Sequence, residues 1–139
     1  MQADTLTGEE SRNLEATQAL FAAFGEGDVP RIMTYLAENP RIEFYGPSVI
    51  PYAGTYQGRE ECAKFFETVL SSVDIHVFEP EEFIASGKKV IVTGHLHLTA
   101  RATGRDIRSD FVHVIDLDGA KWTRFRDFMN TAEAVAAFS

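Results

Sequence analysis

Three polar side chains in the second half of the chain have the types and spacing that acid–base chemistry uses. They are His97, Asp110 and Asp127, and Asp110 lies in the stretch "RSDFVHVIDLDG" (residues 108–119). An imidazole and two carboxylates can exchange protons near neutral pH when their surroundings shift their pKa values. The question is whether the chain brings the three groups together.

Three long strands are predicted to carry these residues, at 88–100, 108–117 and 121–129. Thr103-Gly104 and Asp118-Gly119 are two-residue turn signals between them, and the second is a strong hairpin signal. Shorter strands are predicted at residues 41–45 and 74–85. The three long strands should therefore pair as an antiparallel meander.

If the strands turn on these pairs, His97 lies opposite Asp110, and Asp110 lies opposite Asp127. Cross-strand partners point to the same face of a sheet, so the three side chains should form one row. A turn one residue longer moves a strand's side chains to the other face and dissolves the row. The same face should carry apolar residues that make it a cavity wall: Val112, Phe125 and Met129.

Such a row predicts general acid–base chemistry in an apolar pocket. Two facing carboxylates cannot both ionise cheaply, so one of them could donate a hydrogen bond while the other takes a proton. Each residue also has a structural interpretation: Asp110 as a turn cap, His97 as a half-buried strand residue, and Asp127 as an ion-pair partner of a neighbouring arginine.

The remaining polar candidates are read as structural. His113 alternates with Asp110, so it should lie with Phe111 and Ile115 on the outer sheet surface, at a homodimer interface. His95 and His97 with Asp110 could form a metal triad, but a two-histidine spacing alone is a weak signal, so we predict no metal site and no cofactor.

Helices dominate the first half. Thr7 and Glu10 form a capping box for a first helix that ends at Gly25, and its Phe21 and Phe24 are expected to line the pocket. Further helices are predicted at residues 29–37, at 59–72, and at the end of the chain after a Thr131 cap. Helices followed by a meander predict one α+β domain over residues 1–139, with helices on one face of a curved sheet.

Composition limits the partners. The formal charge is −8 at pH 7 and no basic cluster occurs, which disfavours nucleic acid and membrane surfaces. The single cysteine, Cys62, fits a reducing compartment, and no apolar run approaches membrane length, so a cytoplasmic location is predicted. The 11 phenylalanines indicate either a dense core or a ring-lined cavity.

The chain resembles the SnoaL-like, ketosteroid-isomerase-related branch of the nuclear transport factor 2-like superfamily. The resemblance extends from about Leu14 to Phe138 and is carried by "ALFAAFGEGDVPRIMTYLAENPRIEFYG", "PYAGTYQGREECAKFFETV", "EEFIASGKKVIVTGHLHLTARATGRDIRSDFVHVIDLDG" and "RFRDFMNTAEAV". It implies a cone-shaped, barrel-like fold, with N-terminal helices on a strongly curved, mostly antiparallel sheet around an apolar pocket, and a homodimer through the outer sheet face.

The resemblance also implies site residues. Asp110 is similar to the acidic oxyanion-hole residue of ketosteroid isomerases, and Glu43 lies near the position of their base, while Leu20 replaces their first-helix tyrosine. In limonene epoxide hydrolases, the positions of His97 and Asp127 carry catalytic aspartates. Steroid isomerisation is therefore poorly supported.

We predict a small-molecule pocket protein, in one reading a cofactor-independent isomerase, cyclase or hydrolase that acts on a small, largely apolar substrate. The alternative is a ligand-binding or dimerisation domain without chemistry. Tyr45 and Tyr52 lie in or beside a Pro/Gly-rich segment that could form the pocket rim and donate hydrogen bonds to a ligand of apolar or mixed polarity. The sequence does not identify the substrate.

Overall fold

The computed structural model describes residues 5–139 and contains four helices and six strands. In chain order they are α1 (Gly8–Gly25), α2 (Val29–Met33), β1 (Leu36–Phe44), β2 (Gly54–Gln57), α3 (Arg59–Ser72), β3 (Val73–Ser86), β4 (Lys89–Ala100), β5 (Asp106–Asp118), β6 (Lys121–Met129) and α4 (Thr131–Phe138).

The strands form one six-stranded sheet in the order β2-β1-β6-β5-β4-β3. Only β1 and β6 pair in parallel, and the other four pairings are antiparallel. This confirms the predicted α+β class and the mostly antiparallel sheet. The sheet is open, because β2 and β3 are its free edges, so it does not close into a barrel.

Local sequence explains where the helices begin. The Thr7 hydroxyl accepts from the Glu10 N–H at 3.0 Å, and the Glu10 carboxylate accepts from the Thr7 N–H at 3.0 Å, which is the predicted capping box. Asp28 caps α2 by accepting from the Arg31 N–H at 3.1 Å. The cap of α4 is Asn130 rather than the predicted Thr131, which is the first residue of the helix.

α2 is shorter than predicted, because the chain from Leu36 onward joins β1 instead of continuing the helix to residue 37. Leu36 lies beside Trp122 of β6, and a register shift follows between Leu36 and Arg41. Both Leu36 and Trp122 are almost fully buried. Burial of Leu36 against the sheet therefore outweighs the helix-forming pattern of this segment.

The sheet has two distinct faces, which we name by their surroundings. The inner face packs against α1 and α3, and the outer face is the opposite one. On β5 the odd-numbered residues Phe111, His113 and Ile115 are buried on the inner face, whereas Asp110 and Val112 are exposed. The prediction that Phe111, His113 and Ile115 form an outer, dimer-facing surface is therefore wrong.

No helix of residues 5–139 is both long enough and apolar enough to cross a membrane.

Candidate functional site

The predicted row of His97, Asp110 and Asp127 does not form. His97 lies opposite Arg108, and Asp110 lies opposite His95, while Asp127 lies opposite His113. His97 and Asp110 do share a face, as expected from their pairing parity, but it is the outer face. Asp127 alone of the three points into the interior.

Two features of the hairpins explain the difference. The last register pair before the β4–β5 turn is Thr99 with Asp106, so the connection spans residues 101–105 and the register moves by two residues. A shift of two keeps the side chains of β4 and β5 on matching faces. The position of His97 along β5 therefore changes, but its face relative to Asp110 does not.

The β5–β6 hairpin contains a bulge. Its turn is Gly119-Ala120, in which both residues have positive φ, and Leu117 then pairs with Trp122 while Asp116 pairs with Arg124. Thr123 is thus an extra residue in β6. The bulge reverses the parity of the rest of the strand, so Asp127 faces the same side as His113 rather than Asp110.

An apolar cavity lies between the inner face and the helices, and about 70 Å³ of it is open to the centre of a water-sized sphere. Its wall is made mostly of aromatic and aliphatic side chains from α1, α3 and the strands. The polar groups that line it are few: the imidazole of His113, the carboxylate of Asp127 and the phenol of Tyr52. Ile75 also lines the cavity and is 38% exposed, which marks the side that meets solvent.

His113 and Asp127 form a close pair in the lining of this cavity. His113 Nε2 lies 3.1 Å from Asp127 Oδ1, and their side chains are only 5% and 17% exposed. The imidazole stacks on Phe111 at a centroid distance of 4.4 Å and meets the edge of Phe125 at 4.8 Å. The rings fix the imidazole plane, so its nitrogens have defined directions.

The other imidazole nitrogen, Nδ1, takes no part in the contact with Asp127. His113 Nδ1 is buried and has no hydrogen-bond partner among residues 5–139. When Nε2 donates to Asp127, the neutral imidazole carries its free lone pair on Nδ1. A buried polar atom without a partner costs free energy, so this nitrogen is a candidate for binding a ligand.

Tyr52 supplies a second unpartnered polar atom in the same cavity. Its hydroxyl is buried and makes no hydrogen bond with the described part of the chain, while its ring packs edge-on against Phe44 at 5.0 Å. Burial and the nearby Asp127 carboxylate raise the pKa of Tyr52. The phenol therefore stays protonated and can donate a hydrogen bond.

The structure separates the predicted ligand-contacting residues into two groups. Phe21, Phe24, Tyr52, Phe125 and Met129 line the cavity. Tyr45 and Val112 do not, because they lie on the outer surface with exposures of 45% and 38%. The expectations that Val112 belongs to the cavity wall and Tyr45 to its rim are wrong, and for Val112 the cause is the reversed face of β5.

The predicted catalytic residues separate in the same way. Asp127 lines the cavity, whereas Asp110 and His97 lie on the outer face. Glu43 is buried but also points outward, where its carboxylate accepts from Arg124 Nε at 2.6 Å and from the Tyr45 hydroxyl at 3.1 Å. These bonds and the two nearby arginines lower the pKa of Glu43.

Sequence reasoning missed His113, although a signal for it was present. On β5 the odd positions carry Ile107, Phe111, Ile115 and Leu117, and the even positions are mostly charged. This alternation places the odd residues toward the core. The three-residue spacing of Trp122 and Phe125, both buried, was a signal of the bulge in β6.

Comparison with known proteins identifies relatives of the same architecture. The sequence profile of the family described as SnoaL-like domain matches residues 17–125. An NTF2-like protein from Burkholderia xenovorans LB400 superposes with a TM-score of 0.86 at 28% identity, covering 94% of this chain and 98% of that one. A comparison with curated protein sequences found no match.

Two further solved structures are similar. TerC, co-crystallised with polyporic acid, has a TM-score of 0.79 at 25% identity and covers 91% of this chain and 98% of its own. A presumed SnoaL-like polyketide cyclase from Jannaschia sp. CCS1 has a TM-score of 0.82 with 98% and 97% coverage, and its 15% identity bears on the fold alone. NTF2-like relatives fit a cone-like arrangement of helices on a curved sheet.

Proposed function

This chain belongs to the SnoaL-like domain family, and we propose that it is a cofactor-independent enzyme that moves a proton on a small, largely apolar substrate. The observation that carries the proposal is the buried His113–Asp127 pair beside the unpartnered Tyr52 hydroxyl, in an otherwise apolar cavity. A mostly hydrophobic pocket with a few convergent polar groups is the usual make-up of a small-molecule site.

Each polar group has a distinct role in the proposed chemistry. Asp127 accepts a hydrogen bond from the Nε2–H of His113 and so holds the imidazole in one tautomer and orientation. His113 Nδ1 is then the base that takes a proton from a carbon or oxygen of the substrate. The Tyr52 hydroxyl donates a hydrogen bond to the oxygen on which negative charge develops.

The cavity also limits the substrate. Its wall is aromatic and aliphatic apart from the three polar groups, so the ligand is apolar over most of its surface and carries one carbonyl or hydroxyl group. A carbonyl fits best, because abstraction of a proton beside it gives an enolate whose oxygen Tyr52 can stabilise. Isomerisation and cyclisation of such compounds both begin with this step.

The test uses 2-tetralone, a small ring ketone with exchangeable protons beside its carbonyl. In deuterated buffer, NMR measures how fast these protons exchange with and without the protein. Asp127→Asn and His113→Asn should each reduce the protein-dependent rate about 10²-fold, because acid–base groups contribute on that order. Tyr52→Phe should reduce it by about 10²-fold as well, by removal of an oxyanion donor.

Asp118→Asn is the matched control, because this carboxylate is on the same sheet but is 74% exposed and remote from the cavity lining. It should keep the wild-type rate. Asp110→Asn distinguishes the present assignment from the one based on sequence. The proposal fails if Asp127→Asn exchanges as fast as the wild type, or if Asp110→Asn loses as much activity as Asp127→Asn. Thermal unfolding of each variant checks that it is folded.

A ligand-binding protein without chemistry is the second candidate. One observation favours it: His113 and Asp127 already contact each other. Such a contact satisfies two buried polar groups whether or not a proton is ever transferred. Trp122, the one tryptophan of the chain, lines the cavity and reports on occupancy by its fluorescence. A fluorescence change with 2-tetralone or polyporic acid, without any proton exchange of 2-tetralone, supports the binding role.

We also propose that two copies pair through the outer face of the sheet. Tyr45 stacks on Phe128 at 5.3 Å, and Val112 lies beside Phe128 in register. All three side chains are between 38% and 45% exposed. A dimer would cover this apolar patch. Sedimentation at micromolar concentration should give twice the monomer mass, and Phe128→Lys should give the monomer.

A further inference from the structure

A second group of histidine and aspartate side chains lies on the outer face, away from the cavity. His76 of β3, His97 of β4 and Asp106 of β5 each offer one ligand atom, and these atoms all lie within 4.8 Å of one another. The three strands are neighbours in the sheet, so the side chains converge although they are distant in sequence. This group takes no part in the proposed cavity chemistry.

Thr99 links two members of the group, and a bound ion would replace its contact with His76. The Thr99 hydroxyl lies 2.7 Å from His76 Nε2 and donates to Asp106 Oδ1 at 2.9 Å. His97 Nε2 lies 3.5 Å from Asp106 Oδ2, and the two imidazole rings are 4.7 Å apart. Two ligand atoms of a tetrahedral ion with bonds of about 2.0–2.1 Å are roughly as far apart as His97 Nε2 and Asp106 Oδ2 are here.

His97 provides an independent reason to expect a ligand here. Its Nε2 atom is buried and has no hydrogen-bond partner among residues 5–139, although the side chain as a whole is 22% exposed. A polar atom in this position lacks both water and a protein donor. A cation placed between His97 and Asp106 would satisfy it without moving the strands.

The backbone of β3 contributes to this arrangement. A bulge between Ile75 and Val77 makes His76 an extra residue in the β3–β4 pairing. Bulges redirect side chains and are common next to functional sites. Here the bulge leaves both imidazoles on the same face, next to the carboxylate.

We propose that His76, His97 and Asp106 bind a divalent transition-metal ion of the zinc type. Two imidazoles and one carboxylate suit such ions better than Mg²⁺ or Ca²⁺, which prefer all-oxygen ligands. Three protein ligands leave one position of a tetrahedral ion open to water. The ion would join β3, β4 and β5 on the outer face.

Neighbouring charges are compatible with this site. Thr99 donates to Asp106 Oδ1, so the other carboxylate oxygen, Oδ2, is the one that lies beside His97 Nε2 and is available to an ion. Arg108 lies 3.8 Å from Asp106 and competes with the cation, but its side chain is 67% exposed and free to turn away.

The experiment titrates Zn²⁺ into tag-free, chelator-treated full-length protein by calorimetry. One equivalent should bind, and Mg²⁺ should not compete at the same concentration. His97→Ala and His76→Ala should each weaken Zn²⁺ binding about tenfold or more, which is at least the effect of losing an outer-shell partner. Far-UV circular dichroism confirms that each variant is folded.

His95→Ala is the matched control. His95 lies two residues before His97 on the same strand and face, and it contacts Glu81 at 3.3 Å instead. It should leave the Zn²⁺ affinity unchanged. If Zn²⁺ does not bind, or if His95→Ala weakens binding as much as His97→Ala does, the assignment is wrong.

NMR of the four imidazoles gives a second readout that does not depend on variants. The resonances of His76 and His97 should shift on addition of one equivalent of Zn²⁺, and that of His113 in the cavity should not. A shift confined to His95 or His113 would place the ion elsewhere and overturn the proposal.

Discussion

The two faces of the sheet each carry a histidine beside an aspartate, and the two pairs differ in their surroundings rather than in their chemistry. On the inner face, His113 and Asp127 lie 3.1 Å apart with exposures of 5% and 17%. On the outer face, His97 and Asp106 lie 3.5 Å apart with exposures of 22% and 52%. The same two residue types therefore have different functional prospects.

The difference teaches that the environment decides what such a pair can do. The inner pair is enclosed by aromatic rings, where the effective dielectric is low and electrostatic interactions are stronger than in water. In the outer pair Asp106 is 52% exposed and contacts Thr99 and Arg108, so an ion from solvent can reach its carboxylate. Acid–base chemistry suits the first environment, and cation binding suits the second.

The largest effect that distinguishes the two faces should come from neighbouring residues of β5. Phe111 is 1% exposed and stacks on Phe78 at 4.8 Å, whereas Val112 is 38% exposed on the outer face. Phe111→Ala should lower the free energy of unfolding by about 3–5 kcal/mol, because it leaves a cavity under the His113 ring. Urea unfolding monitored by circular dichroism measures this change.

Val112→Ala is the companion variant and should cost about 1 kcal/mol or less, because its methyl groups are only partly buried. Because Val112 belongs to the proposed dimer patch, both variants are compared in the Phe128→Lys background, which is expected to be monomeric. Equal costs for the two variants would contradict the assignment of Phe111 to the inner face and of Val112 to the outer face.

Glu43 extends the comparison, because it lies on the outer face but is as buried as many residues of the inner face. Its side chain is 9% exposed and accepts one charged hydrogen bond from Arg124. Glu43→Gln should lower the free energy of unfolding at pH 7 by about 1–2 kcal/mol, which is typical of a lost hydrogen bond to a charged group whose partner is partly solvated. Glu82→Gln, at an exposed carboxylate that accepts from Thr93, should cost less.

The effect of Glu43→Gln should also depend on pH. The pKa of Glu43 is lowered from its ordinary value of 4.5, mainly by the hydrogen bond from Arg124. The ionised carboxylate therefore stabilises the fold fully above pH 4.5, and this stabilisation is lost as the pH falls through the lowered value. Urea unfolding of both proteins over that range should show the difference between them shrinking. A constant difference would refute the linkage.

Much of the architecture could be predicted from the sequence because its signals are local. The capping box of Thr7 and Glu10, the order of the long strands and the dense aromatic interior all follow from spacing within short windows. The helical spacing of α1 likewise predicts the pocket placement of Phe21 and Phe24, whereas Met129 lies in the pocket although the strand register that predicted it is not the one observed.

The site itself depends on pairings that short windows do not contain. A single extra residue, Thr123, decides whether Asp127 faces His113 or Asp110. The prediction that Asp110 faces the cavity is wrong. The alternation of Ile107, Phe111 and Ile115 along β5 places these residues inside and Asp110 outside. The convergence of His76, His97 and Asp106 joins three strands, and His76 lies at a bulge.

The smallest expected effect compares two ion pairs formed by adjacent lysines, Lys88 in the β3–β4 turn and Lys89 at the start of β4. Lys88 and Asp118 lie 3.6 Å apart and are 65% and 74% exposed, while Lys89 contacts Asp116 with exposures of 42% and 30%. Exposed pairs are screened by water and salt and contribute little. A double-mutant cycle on Lys88 and Asp118 should give a coupling below about 0.5 kcal/mol.

The same cycle on Lys89 and Asp116 should give the larger coupling, up to about 1 kcal/mol, because both partners are less hydrated. Raising the salt concentration should reduce both couplings, and the Lys88 pair should lose the greater fraction because it is closer to bulk solvent. If the Lys88 pair has the stronger coupling, side-chain burial does not determine the relative strength of these two ion pairs. The contrast between the His113–Asp127 and His97–Asp106 environments would then need another physical cause.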